Sequence, residues 1–276
     1  MKIAQFMENG RIRLGLIEGE SLQPMKFEGA MIDFISGDRR LVTENQSVPM
    51  TEVNFAPSVT GMNKIIAIGL NYEDHAEESK GEVPDIPLIF AKFPNSLIGH
   101  GHTIIWKEDI TKKVDYEAEL AVVIGKTACD ISEEEAPEAV FGYTCANDVS
   151  ARDLQFGDGQ WVRGKSLDTF CPLGPWIVTA DELTDPHDLG IRSILNGKRM
   201  QDSHTGRMFF RIPQIVHFLS KHMTLFPGDV ILTGTPAGVG VFRKPSLYLK
   251  DGDEIAIEID GIGRLVNPCR VLKGQD

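Results

Sequence analysis

Glu117 and Glu119 stand two residues apart in the run Asp115-Tyr116-Glu117-Ala118-Glu119-Leu120-Ala121-Val122-Val123-Ile124, which Gly125 closes. The β-branched and apolar residues that follow the acids read as a strand over Tyr116 to Ile124. Side chains alternate faces along a strand, so the two carboxylates point the same way. Like charges side by side at the start of an apolar strand repel each other. Two arrangements relieve that repulsion. One is a solvated strand edge; the other is a hard divalent cation between the carboxylates, for which their oxygens are natural ligands.

Three further groups carry residue types suited to chemistry. In His75-Ala76-Glu77-Glu78 the imidazole and the last carboxylate are three apart, on one face of a helix. A carboxylate beside an imidazole orients the ring and raises its basicity, as a general base for water requires. A solvated helix face with an incidental histidine has the same pattern. Asp148 closes an apolar strand, and Arg152 and Gln155 follow at helical spacing, so one face can present all three. Arginine is suited to gripping a carboxylate with two hydrogen bonds, although a capped helix with surface polar residues reads alike. Lys165 follows a Gly-rich, Trp-containing stretch, where a lysine can stabilise an oxyanion or bind a keto acid, or simply face water. Thr233-Gly234-Thr235-Pro236-Ala237-Gly238-Val239-Gly240 is a tight turn whose amides and Thr235 hydroxyl could cradle a carboxylate. It lacks the Gly-Lys-Ser/Thr ending of a phosphate loop, which excludes a nucleotide reading. His100-Gly101-His102 sits in a turn without an adjacent cysteine or acid, a poor zinc site.

The elements that must position these groups are mostly strands. Lys2–Met7 and Ile12–Ile17 form a hairpin over Asn9-Gly10, and a short helix is expected over Phe34–Asp38. Lys64–Leu70 reads as a buried strand, with Asn71 capping a helix that carries Glu73 and Asp74 in its first turn and ends at Gly81 and Pro84. Strands are expected over Pro87–Lys92, Thr103–Trp106 and Phe141–Ala146. An acidic helix is expected over Glu133–Val140 and an amphipathic one over Ile212–Leu219, with strands again at Val230–Thr233, Glu254–Ile259 and Gly263–Val271. The division expected is a small β-rich N-terminal domain, residues 1–60, and a larger catalytic domain, residues 61–276.

Composition is that of an ordinary globular protein of 276 residues. A net charge of −12 argues against nucleic acid or an anionic membrane surface as partner. It does not argue against an anionic substrate, because a bound cation reverses the field locally. No apolar run approaches the roughly 20 residues that span a bilayer, and the N-terminus is too polar for a signal peptide. Cys129, Cys145, Cys171 and Cys269 are scattered, as expected of free thiols in a reducing, cytoplasmic compartment.

The order of the pieces resembles the fumarylacetoacetate hydrolase family. The resemblance runs through Gly69-Leu70-Asn71-Tyr72, His75 and Glu78, and Tyr116-Glu117-Ala118-Glu119-Leu120. It continues in Asn147-Asp148 with Arg152-Asp153 and Gln155, Lys165-Ser166 with Asp168-Thr169, and the Thr233–Gly240 turn. It covers residues 62–273, with motifs that are specific in combination. It implies a mostly β (α+β) fold, a rolled multilayer sandwich with a small N-terminal domain, assembled as a homodimer. It implies Mg²⁺ or Mn²⁺ held by Glu117, Glu119 and Asp148. His75 and Glu78 become the water-activating pair, on a segment that orders as a lid. Lys165 becomes the third catalytic group, and Arg152, Gln155 and Thr235 become substrate contacts. No role follows for His100 or His102. The activity implied is hydrolysis of the C–C bond of acylpyruvate-like β-diketo acids, with the cation polarising the α-keto end. Oxaloacetate decarboxylation and isomerisation of 2-hydroxyhepta-2,4-diene-1,7-dioate in aromatic catabolism are alternatives within the same chemistry. A non-catalytic, metal-stabilised ligand-binding β protein is the alternative of another class.

Overall fold

The computed structural model describes residues 1–274. The chain opens with β1 (Lys2–Glu8), β2 (Arg11–Glu18), β3 (Ser21–Pro24), α1 (Met31–Ser36) and the short β4 (Val48–Pro49). Next come β5 (Ile65–Gly69), α2 (Glu73–Ser79), β6 (Leu88–Lys92), β7 (Leu97–Ile98), β8 (Ile104–Lys107) and β9 (Val114–Asp115). The middle holds β10 (Ala118–Ile124), α3 (Ala136–Ala139), β11 (Val140–Asn147), β12 (Ser150–Ala151), α4 (Arg152–Gly157), α5 (Val162–Lys165) and β13 (Cys171–Thr179). β14 (Gly190–Leu195), β15 (Lys198–His204), α6 (Ile212–His222), β16 (Val230–Leu232), β17 (Glu254–Ile259) and β18 (Gly263–Leu272) complete it.

The mostly β architecture is as expected. A large sheet runs β4-β3-β2-β1-β13-β11-β10-β16-β5-β6, with β7 added on β13. A second sheet runs β15-β14-β17-β18-β8, and β9 and β12 form a separate two-stranded ladder. The acidic strand β10 lies in the middle of the large sheet, between β11 and β16. Its side chains divide by alternation. Leu120, Val122 and Ile124 pack with Ile191, Ile255, Ile257 and Leu265 of the second sheet, whereas Ala121 and Val123 pack with Ile3, Leu14, Met31 and Phe34 on the other face. Both faces are therefore covered, which is why the strand is a continuous apolar run rather than an alternating one.

The N-terminal hairpin turns at Asn9 and Gly10, both at positive φ (51° and 75°), as a tight Asn-Gly hairpin requires. β1 then pairs antiparallel with β13, Lys2 opposite Val178 and Ile3 opposite Ile177, so the N-terminal strands extend the large sheet.

Several local expectations are corrected. The strand expected over Tyr116–Ile124 is broken: Tyr116 and Glu117 lie between β9 and β10, outside either strand. Asn71 does not cap α2; Tyr72 precedes the helix, with no side-chain cap. The Asn71 amide instead donates to the carbonyls of Thr233 (2.8 Å) and Phe210 (3.0 Å) and accepts from the Phe210 N–H (2.8 Å), tying three segments together. α2 ends at Ser79, before Gly81, with Lys80 in the left-handed region (φ 53°). The expected Glu133–Val140 helix shrinks to one turn because Pro137 sits at its start and Val140 is already committed to the ladder with Ile124. The helix expected over Phe34–Asp38 begins earlier, at Met31, and buries Met31, Phe34 and Ile35. Among the described residues no helix is long and apolar enough to cross a membrane.

The shared core makes the proposed division near residue 60 testable. Deleting residues 1–60 would expose the face of β10, β11 and β13 that Ile3, Leu14, Met31 and Phe34 cover. The fragment 61–276 is expected to aggregate or to lose cooperative unfolding in urea. A soluble fragment with the near-UV circular dichroism of the full chain would instead show two separately folding domains.

Candidate active site

The break before β10 places the first acid. The Glu117 N–H donates to Asn147 Oδ1 (3.0 Å) and its carbonyl accepts from the Asp148 N–H (3.0 Å). Glu117 is thereby fixed beside the end of β11 although it belongs to no strand. Ala118 donates its N–H to Gln201 Oε1 (2.9 Å), and Glu119 follows inside β10. The carboxylates of Glu117, Glu119 and Asp148 converge, each offering an oxygen within 4.8 Å of the others. All three are buried, Glu119 and Asp148 almost completely, which excludes the solvated-edge arrangement.

Cations from three elements meet these acids. Lys165, at the end of α5, donates Nζ to Glu117 Oε2 and Asp148 Oδ2, both at 2.6 Å. Lys92, at the end of β6, donates to Asp148 Oδ1 (2.6 Å), to the Val149 carbonyl (3.3 Å) and to the Lys165 carbonyl. Arg152, at the start of α4, places Nη2 2.7 Å from Glu117 Oε1 and 2.9 Å from Asp115 Oδ2. The approach of α5 to α4 depends on Gly164, where a Cβ would lie 2.7 Å from the Gln155 nitrogen. Four carboxylates (Asp115, Glu117, Glu119, Asp148) thus face three cations (Lys92, Arg152, Lys165), so with all four ionised one negative charge would go uncompensated.

The titration behaviour follows. Burial pushes the Glu117 carboxyl up, but the Lys165 and Arg152 charges outweigh it and hold the group below the ordinary range. Glu119 lacks such a partner, and its strongest contact is the Gly234 N–H (2.7 Å). Burial first, then the charges of Asp148 and Glu117, push its carboxyl well above the ordinary range. Burial acts against the Lys165 ammonium too, yet Asp148 and Glu117 keep its pKa above normal. A buried acid left uncompensated between two others is the donor set a hard divalent cation fits.

Four amides of the Thr233–Gly240 turn point at acids of the protein itself. Gly234 donates to Glu119, Ala237 to Asp74 Oδ1 (3.3 Å), Gly238 to Glu78 Oε2 (2.9 Å), and Gly240 to Asp115 Oδ1 (2.8 Å). The Thr235 hydroxyl accepts from Gln201 Nε2 (2.7 Å). Four amides of the expected carboxylate cradle are thus engaged by the protein's own acids, while Thr235 itself faces the cavity described next.

His75, Glu117, Glu119, Arg152, Gln155, Lys165 and Thr235 line one cavity of about 100 Å³, together with Phe90, Phe156, Trp161 and Phe242. Asp148 and Glu78 do not line it. His75 Nδ1 is 3.7 Å from Glu78 Oε2, beyond hydrogen-bond distance, and is buried without a partner. Lys165 lies in a helical turn and is buried, not in an exposed loop. Gln155 Oε1 accepts from Arg152 Nη1 (2.9 Å). His100 and His102 play a structural part: His100 Nδ1 accepts from Val266, its ring meets Phe55 edge-on, and the His102 carbonyl accepts from Asn267. Sequence reasoning passed over Lys92 and Asp115. The available signal for Lys92 was a lysine ending the apolar run Leu88-Ile89-Phe90-Ala91, where a charge needs a buried partner.

A family model described as Fumarylacetoacetate (FAA) hydrolase C-terminal matches residues 64–270. The chain belongs to the fumarylacetoacetate hydrolase family. It is 47% identical over 231 residues to the Bos taurus protein named oxaloacetate tautomerase FAHD2B, mitochondrial, covering 83% of this chain and 73% of that one. A fumarylacetoacetate hydrolase structure from Exiguobacterium antarcticum superposes with a TM-score of 0.89 at 38% identity, over 99% of this chain and 100% of the other. A Mycobacterium marinum structure described as 2-hydroxyhepta-2,4-diene-1,7-dioate isomerase gives 0.83 at 36% identity, over the whole of both chains. Enzymes of this family act on small molecules, and the Glu117, Glu119 and Asp148 cluster is where this chain could hold a divalent cation.

The charge imbalance sets up an opposed pair of outcomes. Without metal, Glu119→Gln is expected to melt no lower than the unaltered protein, because it removes the least compensated acid. With Mn²⁺ at 100 times its Kd, the unaltered protein is expected to gain about 2.7 kcal/mol and the variant much less. Equal metal-dependent shifts in differential scanning calorimetry would remove Glu119 from the cation site.

Proposed function

We propose that this protein is a divalent-metal-dependent enzyme of small 2-oxo acids, and that its reaction is keto–enol tautomerisation of an oxaloacetate-like dicarboxylate. The observation that carries the reading is the size and charge of the cavity. At about 100 Å³ the cavity is small beside the roughly 300–1,000 Å³ of pockets that take drug-sized ligands. That space suits a compact acid better than a long acyl chain together with an attacking water. The one-charge deficit among the buried groups becomes a one-charge excess once a divalent cation is present, which matches an anionic substrate.

Glu117, Glu119 and Asp148 would hold Mg²⁺ or Mn²⁺, which when bound supplies Lewis-acid polarisation of the 2-oxo group and acidifies the adjacent C–H. His75 is the base. Its Nδ1 faces Glu78, so Nε2 is the atom left to take the proton from C3 and deliver it to the enolate oxygen, and to carry it from that oxygen back to C3 in the reverse direction. Lys165, kept charged by Asp148 and Glu117, donates a hydrogen bond to the oxygen on which negative charge develops. Arg152, Gln155 and Thr235 orient the carboxylate ends. A base that only relays a C–H proton needs no orienting carboxylate in hydrogen-bond contact, in keeping with the 3.7 Å gap to Glu78. The 47% identical bovine protein bears the name of this reaction.

Hydrolysis of an acylpyruvate-like β-diketo acid is the second reading. Four aromatic rings on the cavity wall, Phe90, Phe156, Trp161 and Phe242, suit an uncharged acyl group, and they favour it. Exposed Phe93 and Ile110 offer apolar surface for the homodimer that belongs to the same proposal.

Oxaloacetate enol, acetylpyruvate and 2-hydroxyhepta-2,4-diene-1,7-dioate, each followed by absorbance with Mn²⁺ present, separate the readings. The largest kcat/KM is expected for oxaloacetate enol–keto conversion. His75→Asn is expected to lower kcat by about 10²-fold or more while leaving Mn²⁺ affinity unchanged. Acetylpyruvate cleavage as the fastest reaction would install hydrolysis instead, and full activity in His75→Asn would remove the assigned base.

A further inference from the structure

We propose that Asp115 is a positioning residue for the cation site: it holds Arg152 and the Gly240–Val241 turn so that the guanidinium meets Glu117. The inference rests on the metal reading above. Asp115 is completely buried, yet it is not one of the converging carboxylates. Every acceptor position it has is occupied. Oδ1 accepts from the N–H groups of Tyr116 (2.9 Å) and Gly240 (2.8 Å). Oδ2 accepts from the Val241 N–H (2.9 Å) and Arg152 Nε (2.9 Å). With its capacity filled it has none left for cation or substrate, so its influence must pass through what it holds.

What it holds is a planar fork. The Nε bond to Asp115 and the Nη1 bond to Gln155 fix the guanidinium plane, and this sets Nη2 in ion-pair contact with Asp115 (2.9 Å) and Glu117 (2.7 Å), although outside hydrogen-bond geometry. The small ladder of β9 and β12 sets this up. Ser150 pairs with Asp115 and Ala151 with Val114, and the Arg152 N–H donates to the Lys113 carbonyl (2.9 Å), so acid and arginine leave neighbouring strands side by side. Gly240 makes the last contact possible: a Cβ there would lie 2.6 Å from Asp115 Oδ1 and collide with the Leu247 carbonyl. Asp115 thus joins the Gly-rich turn, which also holds Glu119 through Gly234, to the arginine that holds Glu117. Partners one layer beyond metal ligands are typically worth about 10–100-fold in metal affinity.

The test is calorimetric titration of the full chain with Mn²⁺, using Asp115→Asn, Arg152→Met and the double variant. Asp115→Asn is expected to raise the Mn²⁺ Kd by about ten-fold. The double variant is expected to bind no more weakly than Arg152→Met alone, because one effect acts through the other. An unchanged Kd in Asp115→Asn, or an undiminished effect of that substitution in the Arg152→Met background, overturns the inference. Should Asp115→Asn fail to fold, Arg152→Lys keeps the charge and the Asp115 backbone contacts but cannot span both carboxylates. It is expected to show the same rise, and an unchanged Kd there is equally fatal. No Mn²⁺ binding by the unaltered protein would sink the metal reading itself, whereas normal binding with indifferent variants would sink this inference alone.

Discussion

The structure depends on one electrostatic constraint: three carboxylates converge out of water within 4.8 Å of one another, and a fourth, Asp115, is buried against the same arginine as Glu117. Removing a single carboxylate from water costs several kcal/mol even after relaxation, and mutual repulsion adds to it. The chain meets that cost by bringing Lys92, Arg152 and Lys165 to the cluster from β6, α4 and α5. Each cation bridges two partners or more. Because the cations stop one charge short, the least compensated acid, Glu119, defines where a further positive charge would be most stabilising. The burial that makes the cluster costly also makes it selective, since charges interact more strongly where water is excluded.

The Gly-rich turn answers the same constraint with dipoles instead of charges. Its N–H groups reach Glu119 in β10, Asp115 in β9, and Asp74 and Glu78 in α2. A side chain at Gly238 would meet the Met200 carbonyl at 2.5 Å, and its φ of 104° suits glycine alone. The glycines therefore serve close backbone approach to the protein's own acids. One consequence is mechanical: α2, which carries His75, is fastened to the turn that fastens Glu119, so the proposed base and the proposed cation site share a single support.

The strand-rich character and the Glu117–Glu119 pair were legible in short-range patterns, whereas Asp148 joined them only through the family resemblance. A continuous apolar, β-branched run marks β10, and Asn9-Gly10 marks the first hairpin. What stayed hidden depends on long-range contacts. Asn71 has the residue type of a helix cap, and only the presence of Thr233 and Phe210 diverts its amide from that role. Lys92 and Asp115 each look like ordinary strand-end charges until a partner 56 or 37 residues away is known. Glu117 and Glu119 were placed on one strand, and the carboxylates do converge. They do so because Asn147 pins Glu117 outside the strand rather than through regular alternation alone.

The buried cluster does not by itself distinguish tautomerisation, decarboxylation and hydrolysis, because each draws electrons toward the same 2-oxo end. The distinction lies with groups at its margin. Hydrolysis adds a water, and a base that activates water gains from a carboxylate in hydrogen-bond contact with its remote nitrogen. Here the Glu78 oxygen nearest His75 is already taken by the Gly238 N–H, and Nδ1 is left unpaired. A histidine in that state suits a proton relay on carbon. Converting it into a water-activating pair would require the 3.7 Å gap to close, and because Gly238 holds Glu78 Oε2, which has room for a second donor, α2 would have to shift against the turn. The choice of reaction is thus coupled to how firmly α2 is held.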